Sequence, residues 1–367
     1  MRLRRLVTEG FRNLEPSDLS VPAQFVVLTG PNAHGKTNTL EAIHVIASLK
    51  ALRGRRIGQL VAWGSSEAAV AGWVEHHGIE RHYRIDLTRT GRTTKLDGKR
   101  VSNLEEYFAG VRAIAFTPSD GQIVAGEPSR RRAWVDRAAF TAAPAHLGRV
   151  RAFRQVLQQK GAVLRGEKAD VALLDVLDQQ LVQLGSAVVE HRLLVLEELR
   201  PHVEALHASI ANSPGDIEIR YHTRAQGDDP HARRQALADR LAEVRSRELD
   251  RRTTLAGPQL DDVRISIGGR PAREFASRGQ IRSIVLSLKL GEMVAARERG
   301  DVPIFLIDDA STELDAGRTG RLVARLSDLG AQVFATTTDA GPLLAALPAE
   351  DTLVVDVLDG SLSPRGG

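Results

Sequence analysis

The sequence predicts an α/β fold whose sheet-forming unit is split by a mainly helical insertion. Three observations carry this reading. A short apolar run, Gln24–Thr29, ends at Gly30, and from Thr37 apolar residues recur at helical spacing, so a strand leads through a glycine-bounded loop into a helix. From about Arg131 to His207 the texture becomes amphipathic and helical, rich in Ala, Leu, Gln and Arg. The last third returns to α/β alternation, with apolar strands at Ile304–Ile307 and Val333–Thr336.

In chain order, Leu40, Ile43, Ile46, Ala47 and Leu49 define the helix after the first strand. Ala68 to Val101 reads as β-hairpins, with Val74, Tyr83, Ile85 and Leu87 as strand residues and His77-Gly78 and Asp97-Gly98 as turns. These hairpins are expected to widen the sheet or cover one of its faces. His76, His77 and His82 suggest a metal, but strand alternation divides them between faces, so a solvated hairpin is the expectation. Leu173, Leu174, Val176, Leu177, Leu181, Leu184 and Val188 trace one face of a long helix, and Leu193, Leu194, Leu196, Leu199 and Val203 trace another. Ile217–Tyr221 is strand-like, and a charged helix runs from about His231 to Leu249. No heptad seam persists and no internal repeat occurs. The expected boundaries are 1–115, 116–299 and 300–367, with the middle segment as the insertion.

Composition narrows the function. The chain of 367 residues is 42% hydrophobic and 26% charged, ordinary for a folded protein with real cores. Cysteine is absent, which excludes disulfides, thiolate zinc sites and catalytic thiols and fits a reducing cytoplasm. No run approaches the roughly 18 apolar residues of a membrane span, and the charged N-terminus has no apolar stretch behind it, so no secretory signal is expected. The net charge of +4 permits a nucleic-acid partner without demanding one. The basic residues are mostly Arg, which suits phosphate recognition; a biased genome produces the same excess.

Gly30-Pro31-Asn32-Ala33-His34-Gly35-Lys36-Thr37 satisfies the P-loop pattern G-x-x-x-x-G-K-[ST], placed after a strand and opening a helix. Glycines let the backbone wrap phosphates, and loop amides and the helix N-terminus offer them partial positive charge. Lys36 is expected to reach the β- and γ-phosphates of ATP and Thr37 to ligate Mg²⁺. Pro303 to Asp309 carries two carboxylates to the end of an apolar strand. Strands often end in Asp, but beside a P-loop the pair has distinct tasks: Asp308 on Mg²⁺ through its water shell, Asp309 as general base toward water. This division requires that the strand end and turn aim the two differently. Ser277-Arg278-Gly279-Gln280 opens an amphipathic helix, which alone is an ordinary N-capped start.

The order of these motifs, closed by Ser311-Thr312-Glu313-Leu314-Asp315, resembles an ABC-type ATPase head. More specifically, the chain resembles the RecF family of bacterial recombination mediators, relatives of SMC and Rad50 heads. The resemblance is carried by Phe11-Arg12-Asn13-Leu14, the P-loop through Asn38 and Ile43, Phe116-Thr117-Pro118, Gly126 to Asp136, Gly257 to Asp262, Ser277 to Gln280, Asp308 to Asp315 and Thr336 to Asp339. It implies a lobe of mixed sheet and helices with an inserted helical lobe, and an ATP-binding set that includes Asn38 and Arg12. It also implies a homodimer closed by ATP–Mg²⁺, in which Ser277, Arg278, Gly279 and Gln280 cap the partner's nucleotide in trans and Asp315 lies at the dimer interface. The implied activity is weak, DNA-stimulated hydrolysis at duplex DNA, gaps and single–double strand junctions, with RecR, and with or without RecO, as partners in loading RecA, and no membrane partner.

Two features depart from the family pattern, and a third departs from transporters while fitting RecF-like proteins. Ala33 occupies a customary glycine position, Gln259-Leu260 replaces His-Arg, and Thr336-Thr337-Thr338 stands where transporters carry a switch histidine, which points to slow hydrolysis. Arg130, Arg131 and Arg132 with Arg137, and Arg53, Arg55 and Arg56, are candidate DNA-phosphate contacts, although such runs are usually solvated faces. Asp261-Asp262 is expected in a turn or an ion pair with a neighbouring Arg. A transporter subunit predicts an LSGGQ-like signature and a switch His that this chain lacks. An SMC- or Rad50-type tether needs a far longer insert. An ATP-binding DNA scaffold without useful turnover is the remaining alternative.

Overall fold

The computed structural model describes residues 1–53, 57–211, 217–313 and 316–365. The chain divides into two compact units, one made of Met1–Asp120 and Glu292–Gly367, the other of Gly121–Gly291.

In the first unit, a six-stranded sheet has the order Ser361–Pro364, Thr352–Leu358, Phe25–Thr29, Val333–Thr337, Ile304–Ile307, Ala113–Phe116. All neighbours are parallel except the antiparallel pair at the Ser361–Pro364 edge. Phe25–Thr29, Ile304–Ile307 and Val333–Thr337 are buried along their whole length, which is why they read as unbroken apolar runs. The register pairs Thr29 with Thr337 and Ile307 with Ala335, so the C-terminal ends of three central strands lie on one edge. Gly30, Asp308 and Thr336 reach that edge together.

The hairpins do not widen this sheet. They belong to a second, antiparallel sheet, ordered Ser17–Ser20, Arg2–Glu9, Glu67–His76, Ile79–Thr88, Arg92–Leu96, Lys99–Arg100. The helix Lys36–Ser48 contacts strands of both sheets. It is buried from Thr39 through Ala47, including Glu41 and His44, so its nearly all-round burial comes from lying between layers. A Cβ at Gly72 would come within 2.9 Å of both Ile46 Cδ1 and Leu3 Cδ1, so a side chain there would displace the ends of these two apolar side chains. His77-Gly78 and Asp97-Gly98 form the hairpin turns, each pair with positive φ at both positions, as two-residue primed turns require.

In the second unit, the helices Pro128–Ala142, His146–Arg165, Val171–Ala211 and Pro230–Arg251 accompany a sheet ordered Arg270–Pro271, Asp262–Ile267, Ile217–His222. The two apolar faces expected between 173 and 203 belong to one helix of 41 residues that continues through Pro201. Leu174, Leu177, Leu181 and Val188 are buried, whereas Leu173, Val176 and Leu194 are exposed. A shift of one residue rotates a side chain about 100° around a helix, so these apolar neighbours fall off the buried stripe. The core joins Val150, Phe153 and Val156 to Leu177, Leu181, Leu237, Leu241 and Val244. Within it Lys160 is fully buried, with Nζ 2.6 Å from both Asp178 and Glu248. Burying that cation is tolerable only because two carboxylates meet it. Among the described residues, no helix is long and apolar enough to cross a membrane.

Candidate functional site

The P-loop closes on the C-terminal edge of the parallel sheet. Gly30 has φ 151°, and a Cβ there would lie 2.2 Å from Val357 O, so only glycine fits. Gly35, with φ 115°, precedes the helix. Ala33 has φ 69°, the left-handed region where an L side chain is strained. Lys36 is the first residue of the helix, and its Nζ donates to Gly30 O at 2.6 Å and Pro31 O at 2.7 Å. Burial pulls the ammonium below its usual pKa, and the charges of Asp309 and Asp308 oppose the shift.

Neighbouring side chains brace the loop. Asn13 Nδ2 donates to Ala33 O at 3.0 Å, and Asn38 Nδ2 donates to Asn13 Oδ1 at 2.6 Å. His34 Nδ1 accepts the Asp359 N–H at 3.0 Å, and His34 O accepts the Gly360 N–H at 2.9 Å. The turn of the C-terminal hairpin thereby holds the loop from its far side. Asp359-Gly360 between apolar strands was a legible turn signal for that hairpin. Pro31 and Asn32 are exposed at the loop tip. Arg12, with φ 56°, donates through Nε to Glu41 Oε2 at 2.8 Å and through Nη1 to Gln59 O at 3.0 Å.

The acidic pair divides in direction. Asp308 is 2% exposed and accepts at Oδ1 from Thr37 Oγ1 at 2.6 Å and from Thr336 Oγ1 at 3.1 Å. Arg53 Nη2 lies 3.0 Å from Asp308 Oδ2 and 3.2 Å from Thr37 Oγ1. Asp309 turns away because its backbone is left-handed, φ 60°, and its N–H donates to Thr336 Oγ1 at 2.8 Å. Its Oδ1 accepts from Ser311 Oγ at 3.3 Å. Thr336 therefore ties both acids to the neighbouring strand. Neither the Thr336 bridge nor the Arg53 contact has a local sequence signature, because the partners are remote in the chain. The Thr37 hydroxyl and Asp308 carboxylate are hard oxygen donors, and the Arg53 guanidinium between them shows that the spot suits positive charge; this donor set fits Mg²⁺.

Ser277 caps the helix Arg278–Glu298. Ser277 Oγ accepts the Gln280 N–H at 3.3 Å, while Gln280 Oε1 accepts the Ser277 N–H at 2.8 Å, a reciprocal capping box. Ser277 and Arg278 are exposed, and Gly279 and Gln280 are half-buried.

The arginine run requires a correction. Arg130 is exposed, but Arg131 is buried and grips Asp262 bidentately at 2.7 and 2.9 Å while donating to Gly126 O at 2.8 Å. Its guanidinium is consumed inside the fold and has no face for phosphate. Arg132 is half-buried and donates to Asp261 O at 2.6 Å. Asp262 thus makes the ion pair expected of the Asp261-Asp262 segment. Arg55, Arg56 and Asp315 lie outside the described residues. The histidines also depart from expectation. His82 stacks on Trp73, but His76 and His77 fall on the same side, with ring centroids 3.9 Å apart. The strand ends at His76, and His77 has φ 50°, so alternation no longer applies to it.

The family described as RecF/RecN/SMC N terminal domain matches residues 2–355. The DNA replication and repair protein RecF of Myxococcus xanthus (strain DK1622) is 39% identical, covering 100% of this chain and 98% of that protein. The chain belongs to the RecF family. The family's DNA replication and repair protein RecF from Geotalea daltonii is 34% identical over 92% of this chain and 93% of its own length. A solved structure described as the recombination mediator protein RecF-ATP in the RecFOR pathway superposes with a TM-score of 0.90 at 26% identity, covering 99% of this chain and 97% of that one. An SMC head bound to the C-winged helix domain of ScpA superposes at 0.58 with 15% identity, covering 100% and 97%, and shares the ABC-type ATPase head fold with this RecF-family chain.

Proposed function

We propose that this RecF-family chain is a cytoplasmic DNA-repair ATPase whose two copies close around ATP–Mg²⁺ and grip DNA. The observation that carries the reading is the meeting of Lys36, Thr37, Asp308 and Asp309 on one sheet edge, from segments 271 residues apart. Thr37 and Asp308 would hold Mg²⁺, which supplies charge neutralisation at the phosphates. Lys36 would exchange its loop carbonyls for the β- and γ-phosphate oxygens. Asp309, aimed away from Asp308 by its left-handed backbone, would accept the proton of the attacking water. The absence of a switch histidine at Thr338 supports slow turnover.

In this reading the functional lobes are 1–115 with 300–367, and 116–299. Ser277 to Gln280 of one copy would cap the nucleotide of the other, and the exposure of Ser277 at a helix N-terminus supports this. Asp315 would lie at the same interface, and Asn38 and Arg12 would border the nucleotide. The closed pair would bind duplex, gapped and junction DNA through phosphates, with Arg130 the available arginine of its run, so binding falls steeply with salt and discriminates sequence poorly. The name of the RecF-ATP structure, set in the RecFOR pathway, supports RecR, with or without RecO, as partners.

The test is size analysis with and without ATP–Mg²⁺, repeated with intact and gapped duplex. The expected result is a monomer that pairs only with ATP–Mg²⁺. Lys36→Ala should lose pairing altogether, and Ser277→Arg should still bind nucleotide as a monomer without pairing. A single copy that encloses its nucleotide and never pairs would overturn the proposal.

A further inference from the structure

We propose that His76, His77 and Asp301 form a site for one divalent transition-metal ion, Zn²⁺ in the first instance, before the N-terminal end of the strand Ile304–Ile307, whose C-terminal end leads into the acidic pair. The ligand atoms of the three side chains all lie within 4.8 Å of one another. His76 Nε2 is 2.8 Å, and His77 Nε2 3.7 Å, from the same carboxylate oxygen, Asp301 Oδ1. Ligands around a tetrahedral zinc ion, with bonds of about 2.0–2.1 Å, sit about 3.3 Å apart. The cluster brackets that spacing before any adjustment.

Three features make this more than a chance contact. The first is the backbone that brings adjacent histidines together. His77 and Gly78 have φ 50° and 76°, and this tight turn swings His77 onto the side of His76, which regular strand alternation would forbid. The second is the state of His76. Its Nε2 is buried and faces Asp301 Oδ1 at 2.8 Å outside ordinary hydrogen-bond alignment, so the ring nitrogen and the carboxylate oxygen already converge on one point. The third is the rigidity of the carboxylate. Gly300, with φ 86°, ends the helix Arg278–Glu298, and the Asp301 N–H returns to Ala296 O at 3.0 Å. The buried Arg112 guanidinium binds Oδ2, leaving Oδ1 turned to the two rings, as an outer partner orients a metal ligand.

The charges around the cluster are paired or offset. Arg112 is matched by Asp301, and the Met1 amine donates to Val302 O at 2.9 Å. Arg2 and Glu75 act on that amine with opposite sign, and Glu75 is paired with Arg4 at 2.7 Å. Two imidazole nitrogens and one carboxylate oxygen select zinc-like ions over Mg²⁺, and the half-open position of His77 leaves a fourth place for water. An ion here would tie the tip of the Glu67–His76 hairpin to the segment that enters the strand Ile304–Ile307, three residues before Ile304.

The experiment is calorimetric titration of the tag-free full chain with Zn²⁺ in the presence of excess Mg²⁺, with thermal unfolding followed in parallel. The expected result is one zinc per chain, reversed by a chelator, with a raised melting temperature. His77 is 66% exposed, so His77→Ala should fold normally and weaken zinc binding about ten-fold or more. His77→Cys should restore it, and with Co²⁺ as probe should add a thiolate-to-metal charge-transfer band, which is unambiguous in a chain without cysteine. No zinc uptake would overturn the proposal. So would uptake that His77→Ala leaves unchanged, or uptake that is lost in Asp308→Asn instead.

Discussion

Thr37 Oγ1 donates to Asp308 Oδ1 across 2.6 Å, joining the start of the P-loop helix to the end of a strand 271 residues later. Asp308→Asn would keep the shape of this contact and remove the charge. Binding of ATP in the presence of Mg²⁺ should then weaken about ten-fold or more, while binding in a chelator should change little. Nucleotide titrations with and without Mg²⁺ check this. Equal magnesium dependence in variant and parent would remove Asp308 from the metal.

Asp309 has its own task because φ 60° turns it off the strand line. Asp309→Asn should bind ATP and accumulate as the closed pair, with turnover reduced by two or more orders of magnitude, about 10²-fold. Phosphate release and sizing on the same sample decide it, and persistent turnover would show that the base lies elsewhere.

Ala33 carries φ 69°, a conformation that costs a side chain about 1 kcal/mol and costs glycine little. Ala33→Gly relieves that strain, although glycine is freer in the unfolded chain and offsets about half of it. A small net gain in stability, up to about 0.5 kcal/mol, should appear in denaturant melts, together with tighter nucleotide binding. A loss of both would mean the methyl group makes a useful contact.

A pH dependence belongs to the second unit. Asp136 Oδ1 meets His146 Nε2 at 3.1 Å, and His146 Nδ1 meets His191 Nδ1 at 2.9 Å. Burial, with the His146 and Arg149 charges, lowers the His191 pKa from 6.5 to about 4. A folded pKa below the unfolded value means protons favour the unfolded chain. The stabilisation is therefore complete above pH 6.5 and declines as pH falls toward about 4. After screening at this half-buried ring the loss is about 1–2 kcal/mol. His191→Gln should flatten melting temperature between those pH values; an unchanged slope would place the titration in another group.

Much of the molecule was legible because periodicity reports burial. The strands Phe25–Thr29 and Ile304–Ile307 and the P-loop between strand and helix are local patterns, and each is found where its pattern lies. The hairpins were legible as hairpins, but their sheet was not, since strand pairing with Arg2–Glu9 is a long-range choice. Which apolar residues of the long helix are buried is not legible, because those one position off the stripe, such as Leu173 and Val176, look the same in sequence as those on it. Arg131 illustrates a different limit. A run of three arginines reads as surface charge, and only its pairing with Asp262, 131 residues on, makes it part of the interior.

Local residue patterns set the elements, the glycine-bounded loop and the residue types able to handle a triphosphate, because dihedral preference and hydrophobic period act over a few residues. Tertiary structure alone decided which remote groups meet. Thr336 bridging the two acids, Arg53 against Asp308, and two histidines turned onto one aspartate all depend on strand register and turn geometry. Those contacts form between segments far apart in the chain, and local preferences carry no information about which distant partner each segment will face.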